Sequence, residues 1–340
     1  MSLLPGSAPV VVPRPLPAWV EAAQEAAAAP PKPKIRTGQH RRAPFADHRR
    51  AASQVGEHVT SAWFSARGGS DIGIPIGIVG ALAMMAPADE HGPDLGDQVL
   101  ALNPAELTDL LRHIWRSYWL RRPDLIERAL PLHDWLNHGE ADSDLLYAAH
   151  KTAHAAINSG LLDITGHKDP SLRSDADVLS RLVMEMRSKA QRSGSGEFHT
   201  PNAVCDFMAR ILLGSPEDLR PGLSIHDPAA GSGSMLRAAA QHIRDAGHQP
   251  ADFHWFANDI DPIAVACCAV NAIVWDLGPN VVIAKADSLA EPNWPSRARA
   301  ERAEIIAHRN RTVERAATEA AWRRAARLLD TLTQPLERTA

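Results

Sequence analysis

The residues best equipped for chemistry lie in Asp227-Pro228-Ala229-Ala230-Gly231-Ser232-Gly233-Ser234, where a short apolar run, Leu223 to His226, meets a helical pattern. Gly231 and Gly233 lack a Cβ, so backbone at both positions can approach a ligand closely. The helix start beyond them offers free N–H groups to an anion, such as a carboxylate. Asp227, at the carboxyl end of the strand, suits an ammonium. Ligands of open α/β sheets bind at that end. A bare Gly-x-Gly equally describes a tight turn, and the longer string is far more specific. It is not the dinucleotide fingerprint, because Leu236 stands where that pattern has its third glycine.

Three further strings extend the same chemistry. In Asn258-Asp259-Ile260-Asp261-Pro262, Asp259 falls at the end of a second strand, where a carboxylate can accept from both hydroxyls of a ribose. Ile260 can pack on an adenine ring, and Asp261 reads as the cap of the next helix. In Ala286-Asp287-Ser288-Leu289, Asp287 either accepts from an exocyclic amine of adenine or is a turn aspartate. Gly196-Glu197-Phe198-His199-Thr200-Pro201 precedes a helix over 202–213 that Thr200 or Asn202 can cap, with its N-terminus near the amino-acid end of the ligand. An amino-acid end, a ribose and an adenine together describe S-adenosylmethionine, ahead of NAD or FAD.

These strings need a scaffold of strands and helices in alternation. After Pro221 the pattern is strand (Leu223–His226, expected to be buried), helix (Ser234–Ala246, ended by Gly247), strand (Phe253–Ala257), helix (from Pro262 to near Gly278) and strand (Val281–Ala284). Such alternation implies parallel strands. A long Ala- and Arg-rich helix follows over 296–332, with a stripe of Val313, Ala317, Ala321, Ala325, Leu328 and Leu332. That stripe either covers the open edge of the first strand or faces solvent or a partner. Upstream, apolar residues recur at helical spacing: Leu107, Leu110, Leu111, Ile114 and Trp115; Leu145, Leu146, Ala149, Ala153 and Ile157; Leu179, Leu182, Val183 and Met186. Asn103-Pro104 is a strong helix start.

With 340 residues, 45% hydrophobic and 22% charged, the chain can bury a core. The first fifty residues are proline-rich, with a possible short helix over 18–29. The apolar stretch Ile72–Met85 is short and broken by Gly73, Pro75, Gly77 and Gly80, so no membrane span is expected. No secretory signal is expected either, and the three cysteines suit a reduced, cytoplasmic protein without a cysteine-based metal site. His150 and His154 lie one helical turn apart, but no third ligand is near in sequence, and no metal is expected. The net charge of −4 conceals two basic stretches. Lys32–Arg50 has seven Lys or Arg against one acid, and Arg297–Asp330 nine Arg against five acids. Each is either a DNA-facing segment or a solvated surface.

Taken in order, Gly-x-Phe-x-Thr-Pro, Asp-Pro-Ala-x-Gly-Ser-Gly, acid-Ile-Asp-Pro and x-Asp-Ser-Leu resemble the adenine-N6 DNA methyltransferases, and in particular the methylation subunits of type I restriction-modification systems. The resemblance runs from Asp175 to Leu289, and Asn271 fits the helix of the family's second motif. It implies an α/β, Rossmann-like S-adenosylmethionine-dependent methyltransferase domain with a shortened sheet, preceded by a helical domain. The expected organisation is a disordered basic arm (1–50), a helical domain (51–193), an S-adenosylmethionine-binding domain (194–295) and a C-terminal helix (296–340). The resemblance assigns the methionine part to Gly196, Thr200, Pro201, Asp227, Gly231 and Gly233, within the string that includes Pro228. It assigns ribose to Asp259 and adenine to Asp287, beside Ile260. It further implies DNA as a partner.

The departures matter as much. The family's catalytic Asn-Pro-Pro-aromatic motif does not occur, so no catalytic residue is assigned, and Asn293-Trp294-Pro295 has the wrong order. His199 stands where an aromatic usually precedes Thr-Pro, and no pattern for strands four to seven or for a target-recognition region follows Leu289. Three functions remain open: a DNA adenine methyltransferase component that is inactive alone and needs a second chain to complete its fold, a non-catalytic S-adenosylmethionine-binding or DNA-associated regulatory module, and a small-molecule methyltransferase.

Overall fold

The computed structural model describes residues 47–69, 71–86, 94–137, 142–190 and 200–333. Of the expected disordered arm over 1–50, residues 1–46 lie outside the described residues, as do the 18–29 helix, most of the first basic stretch and Gly196, whereas Asp47 caps the first helix and His48–Arg50 open it. The described residues 47–309 fall in one compact unit, and those from Asn310 onwards in a second.

The chain is mostly helical, with one small parallel sheet. Helices α1 (His48–Ala66), α2 (Gly73–Ala83), α3 (Leu95–Leu100), α4 (Pro104–Arg121), α5 (Pro123–Arg128), α6 (Leu130–His133), α7 (Ser143–Asn158), α8 (Leu161–Thr165), α9 (Pro170–Arg173) and α10 (Val178–Ala190) come first. They are followed by α11 (Asn202–Leu213), β1 (Ser224–Asp227), α12 (Ser234–Asp245), β2 (His254–Asp259), α13 (Pro262–Val274), β3 (Val281–Lys285) and α14 (Trp294–Thr333). The three helical patterns read upstream fall on α4, α7 and α10. α4 begins as expected, with Asn103 and Glu106 forming a reciprocal capping box and Pro104 in the first turn.

Helix α2 is apolar on all sides and completely buried, which is why the apolar stretch broken by glycines belongs to the core. A Cβ on Gly73 would lie 2.6 Å from the Pro131 carbonyl oxygen, and one on Gly77 only 1.7 Å from that of Leu132. These glycines let α6 approach backbone to backbone, while Gly80 faces Val270 of α13 at ordinary contact distance. Among the described residues no helix is long and apolar enough to cross a membrane.

The strand order is β1-β2-β3, all parallel. One sheet face, with Ile225, Trp255, Ala257, Val281 and Ile283, joins the large helical core. The other face presents Phe256, Val282 and Ala284 to Trp294 and Ala298 at the start of α14. Strand β1 is not the buried strand expected from its composition. It is an edge among the described residues, with Ser224 and His226 exposed. α14 therefore begins over β2 and β3. Of its proposed covering stripe, Ala321 and Ala325 are exposed, while the side chains of Leu328 and Leu332 lie outside the described residues. The buried Asp124 carboxylate accepts from Arg122 and Arg302, which also donate to the carbonyls of Gly278 and Pro279, so one ion cluster fastens α5 and α14 to the loop before β3. Burial works to raise the Asp124 pKa, but the two guanidiniums outweigh it and hold the group below the usual range.

The glycine contacts generate a test. Gly77→Ala should destabilise the fold by about 3 kcal/mol in urea titrations, since carbonyl backbone cannot yield as a side chain does. Gly80→Ala, with room for its methyl, should stay within about 1 kcal/mol of the parent. Equal effects at the two positions would contradict the backbone approach at Gly77.

Candidate functional site

Parallel pairing sets the carboxyl ends of β1, β2 and β3 along one edge, with Asp227 beside Ala257 and Asp259 beside Lys285. The three following loops are laced together there. The Ala230 N–H donates to the Asn258 carbonyl at 2.9 Å, and the Ala286 N–H to the Asp259 carbonyl at 3.0 Å. The Asn258 side chain donates to the Ala286 carbonyl at 3.1 Å. The Asp259 carboxylate accepts from the N–H groups of Gly231 at 2.9 Å and Asp261 at 3.0 Å, one on each oxygen. Each oxygen keeps a further lone pair for a ligand hydroxyl.

The two glycines divide their roles. Gly231 has φ +55° and open space where a Cβ would be, so its surface is free to be approached. Gly233, with φ +93°, faces inward: a Cβ there would lie 3.1 Å from Cys268 Sγ and 3.4 Å from the Trp275 ring. Gly233 is thus the left-handed residue that seats α12 on α13, and Gly231 is the one open to a ligand.

A residue not singled out from the sequence holds this loop in place. Asp177, at the start of α10, is 2% exposed. Its Oδ1 accepts from the Ser180 N–H at 2.9 Å and the Asn271 side chain at 3.1 Å. Its Oδ2 accepts from the hydroxyls of Ser232 at 2.8 Å and Ser234 at 2.7 Å. Asn271 also donates to the Ser232 carbonyl at 2.9 Å. Nearby, the buried Arg237 of α12 donates to the Ser174 carbonyl and to Asp206 of α11.

The edge is electronegative. Burial raises the pKa of Asp227, and the charge of Asp259 raises it further, against an opposing hydrogen bond from the Ala229 N–H. A carboxylate in that state gains from a cation beside it. Asp261 caps α13 as expected, accepting from Ile263 and Ala264, and pairs with Arg187. Ile260 is 69% exposed at the end of β2, an apolar surface beside the Asp259 carboxylate. Asp287 is exposed and accepts from the N–H groups of Leu289 and Ala290, so one of its oxygens is a turn acceptor. Pro228 is exposed, and its carbonyl accepts from Ser288.

Helix α11 departs from the expected capping by Thr200 or Asn202. Its N-cap is Pro201, which has no side-chain oxygen to offer, and Thr200 instead gives its carbonyl to the Cys205 thiol. Among the described residues, no side chain caps the first amides of α11. Burial pushes the Cys205 thiol pKa up, and the charge of Arg237 opposes this. Only Cys205 and Ala209 of α11 are buried, against Ala238 and Met235. Val204, Phe207, Met208, Ile211 and Leu212 are exposed, Phe207 by 64% and Leu212 by 70%.

Other candidates resolve locally. The His150 and His154 rings lie 4.0 Å apart, with His150 Nε2 against the Leu102 carbonyl. In the second basic stretch, Arg297 pairs with Glu291 and Glu301, Arg302 with Asp124, and Arg309 donates to the Leu120 carbonyl. That part of the stretch serves packing. The three thiols are unpaired and buried.

With this geometry in hand, the comparisons with known proteins are specific. Residues 176–311 match the N-6 DNA Methylase family. The chain is 25% identical over 154 residues to the type I restriction enzyme MpnII methylase subunit of Mycoplasma pneumoniae, covering 45% of this chain and 27% of that protein. It is 35% identical over 69 residues to the EcoEI methylase subunit of Escherichia coli, covering 20% of this chain and 12% of that protein. The matches thus span well under a third of these curated relatives. A type I restriction-modification methyltransferase subunit from Streptococcus thermophilus superposes with a TM-score of 0.44 at 18% identity, over 72% of this chain and 60% of that one.

The family-matched segment takes in Asp177 and every residue it holds. Asp177→Ala should cost about 3 kcal/mol or more in urea denaturation, because buried donors lose a charged acceptor. Asp177→Asn should cost about 1 kcal/mol, since its oxygen can serve Ser180 and Asn271 while the serine hydroxyls turn to accept from its NH₂. If the two variants are equally stable, the hydrogen-bond network is not what holds the loop.

Proposed function

We propose that this chain is the S-adenosylmethionine-binding component of a DNA adenine-N6 methyltransferase, built on a shortened Rossmann-like domain, and that it needs a second chain for methyl transfer. The observation that carries the cofactor reading is the edge where Asp227, Gly231 and Asp259 converge from successive parallel strands. Its chemistry fits the ligand. An open, left-handed Gly231 admits a close approach, and a carboxylate with raised pKa favours a cation. S-adenosylmethionine is cationic at both its ammonium and its sulfonium. When bound it supplies an electrophilic methyl group.

The chain's own residues then have separate tasks. Asp259 accepts from the ribose hydroxyls while keeping its grip on the Gly231 loop. Ile260 and the free oxygen of Asp287 border the adenine. The start of α12 and the start of α11, beyond Thr200 and Pro201, offer N–H groups to the carboxylate. Gly196 belongs to the same set by resemblance.

Two physical features support the need for a partner. Strand β1, an edge among the described residues, offers backbone groups to a further strand, and α11 exposes five large apolar side chains. A second chain carrying the adenine-holding residues would cover both. DNA is the proposed substrate, with residues 32–50 as a candidate phosphate-binding arm, and the buried, unpaired thiols suit a reducing cytoplasm. A regulatory module that binds the cofactor without transfer is the second reading, favoured by the lack of an Asn-Pro-Pro-aromatic string.

Calorimetry should detect S-adenosylmethionine binding that NAD does not displace, and Asp259→Ala should weaken it by about ten- to a hundredfold. Unchanged affinity would remove Asp259 from the ribose site. The pure chain should transfer no tritiated methyl to adenine in DNA, and transfer by the chain alone would contradict the need for a partner.

The pH dependence has a defined sign. Asp227 has a raised pKa in the folded chain, so its anion is disfavoured until a cation arrives. Affinity for S-adenosylmethionine should therefore increase as pH rises through that pKa, which lies above the ~3.9 of an ordinary aspartate. Asp227→Asn should lower the affinity at neutral pH and flatten this dependence. A wild-type slope retained in Asp227→Asn would assign the titration to another group.

A further inference from the structure

A second concave site lies away from the sheet edge, between α4 and the segment from α5 through the 3-10 turn at Asp134–Asn137. It is a cleft of about 230 Å³, and it shares no lining residue with the edge site. One face of α4 supplies its wall through Arg112, Trp115, Arg116 and Trp119, at the i, i+3, i+4 and i+7 positions of a single helical stripe. An inward stripe of this spacing is ordinarily apolar, so alternating guanidiniums and indoles need a reason.

Most of the polar groups here are already engaged. Arg112 donates to Asp109 at 2.8 Å and to the Leu136 carbonyl at 3.2 Å. The Trp119 indole N–H donates to one oxygen of the Glu127 carboxylate at 2.9 Å, which fixes the ring. His133 stacks on Trp115 with ring centroids 4.5 Å apart, and its Nε2 lies 3.1 Å from the Ile126 carbonyl. Burial lowers the His133 pKa, leaving a neutral ring. Arg116, unlike Arg112, is not engaged. It is exposed at the mouth and has no hydrogen-bond or ion-pair partner among the described residues. Its planar fork of donors is therefore available to an anion, with a positioned indole on the next turn of the helix.

We propose that this cleft binds a nucleobase carrying a phosphate, with the base against the Trp119 side of the stripe and the phosphate on Arg116. Indole faces accept any base, and a forked guanidinium matches phosphate oxygens. The volume suits one ring system with its attached group, being below the range of drug-sized pockets. Two sources offer this chemistry: a free mononucleotide, or one nucleotide of a single strand of DNA. The site stands independently of the methyltransferase reading.

The test titrates the full chain with thymidine 5′-monophosphate and with an oligothymidylate, a pyrimidine being chosen to spare any adenosine site. Binding is expected for at least one of them, and thymidine without phosphate should bind far more weakly. Arg116→Ala and Arg116→Gln should each weaken binding by about tenfold or more, with unchanged thermal melting, because this side chain has no partner among the described residues to lose. Asp259→Ala should leave the affinity unaltered. An oligomer at least about tenfold tighter than the mononucleotide, with affinity falling as salt rises, identifies a single strand as the source. Equal affinity identifies the free nucleotide. The proposal is overturned if neither thymidylate binds, or if both Arg116 variants bind as tightly as the parent.

Discussion

A buried carboxylate with four donors around it is the constraint on which the edge site depends. Asp177 has no solvent to satisfy it, so its oxygens must be met by protein groups. The donors it gathers come from α10, from α13 and from both serines flanking Gly233. The loop after β1 therefore cannot shift without leaving several buried polar groups unpaired. Arg237 extends the same arrangement to α11 through Asp206. The helices are thus part of the site's support, and the continuous core from α1 to β3 reflects this.

With the loop fixed, charge decides what can bind. Burial and the charge of Asp259 both oppose the ionisation of Asp227, and Asp261 is held by Arg187 and its own cap. The edge accordingly favours positive charge, whereas helix starts beside it favour negative charge. A ligand with an ammonium, a carboxylate and a sulfonium meets both demands. The α4 cleft has the opposite balance, with a free guanidinium and aromatic walls. Its ligand chemistry therefore differs, though both sites rest on one core.

Local signals in the chain were legible where one segment determines its own structure. Asn103 as the cap before Pro104, Asp261 as the cap before Pro262, and Gly247 at a helix end each take the expected place, because caps and turns depend on neighbours a few residues away. Long-range partnerships were not legible. Asp177 precedes Ser180 by three residues, which hints at a helix cap, but its other partners lie 55, 57 and 94 residues away. The inward role of Gly233 depends on Cys268 and Trp275 across the fold. Composition suggested a buried β1, since Leu223 and Ile225 are apolar, yet exposure is set by which strand ends the sheet. The Arg-Trp stripe of α4 carried a helical signal in Trp115, and its arginines acquire meaning only from the opposing wall.

Amide hydrogen exchange with and without S-adenosylmethionine tests the central claim most directly, because it locates the ligand as well as detecting it. The account predicts slowed exchange at residues 229–234, 259–261 and 286–290, with the α4 cleft unchanged. Binding that leaves those three loops unprotected, or protects only residues elsewhere, would contradict it.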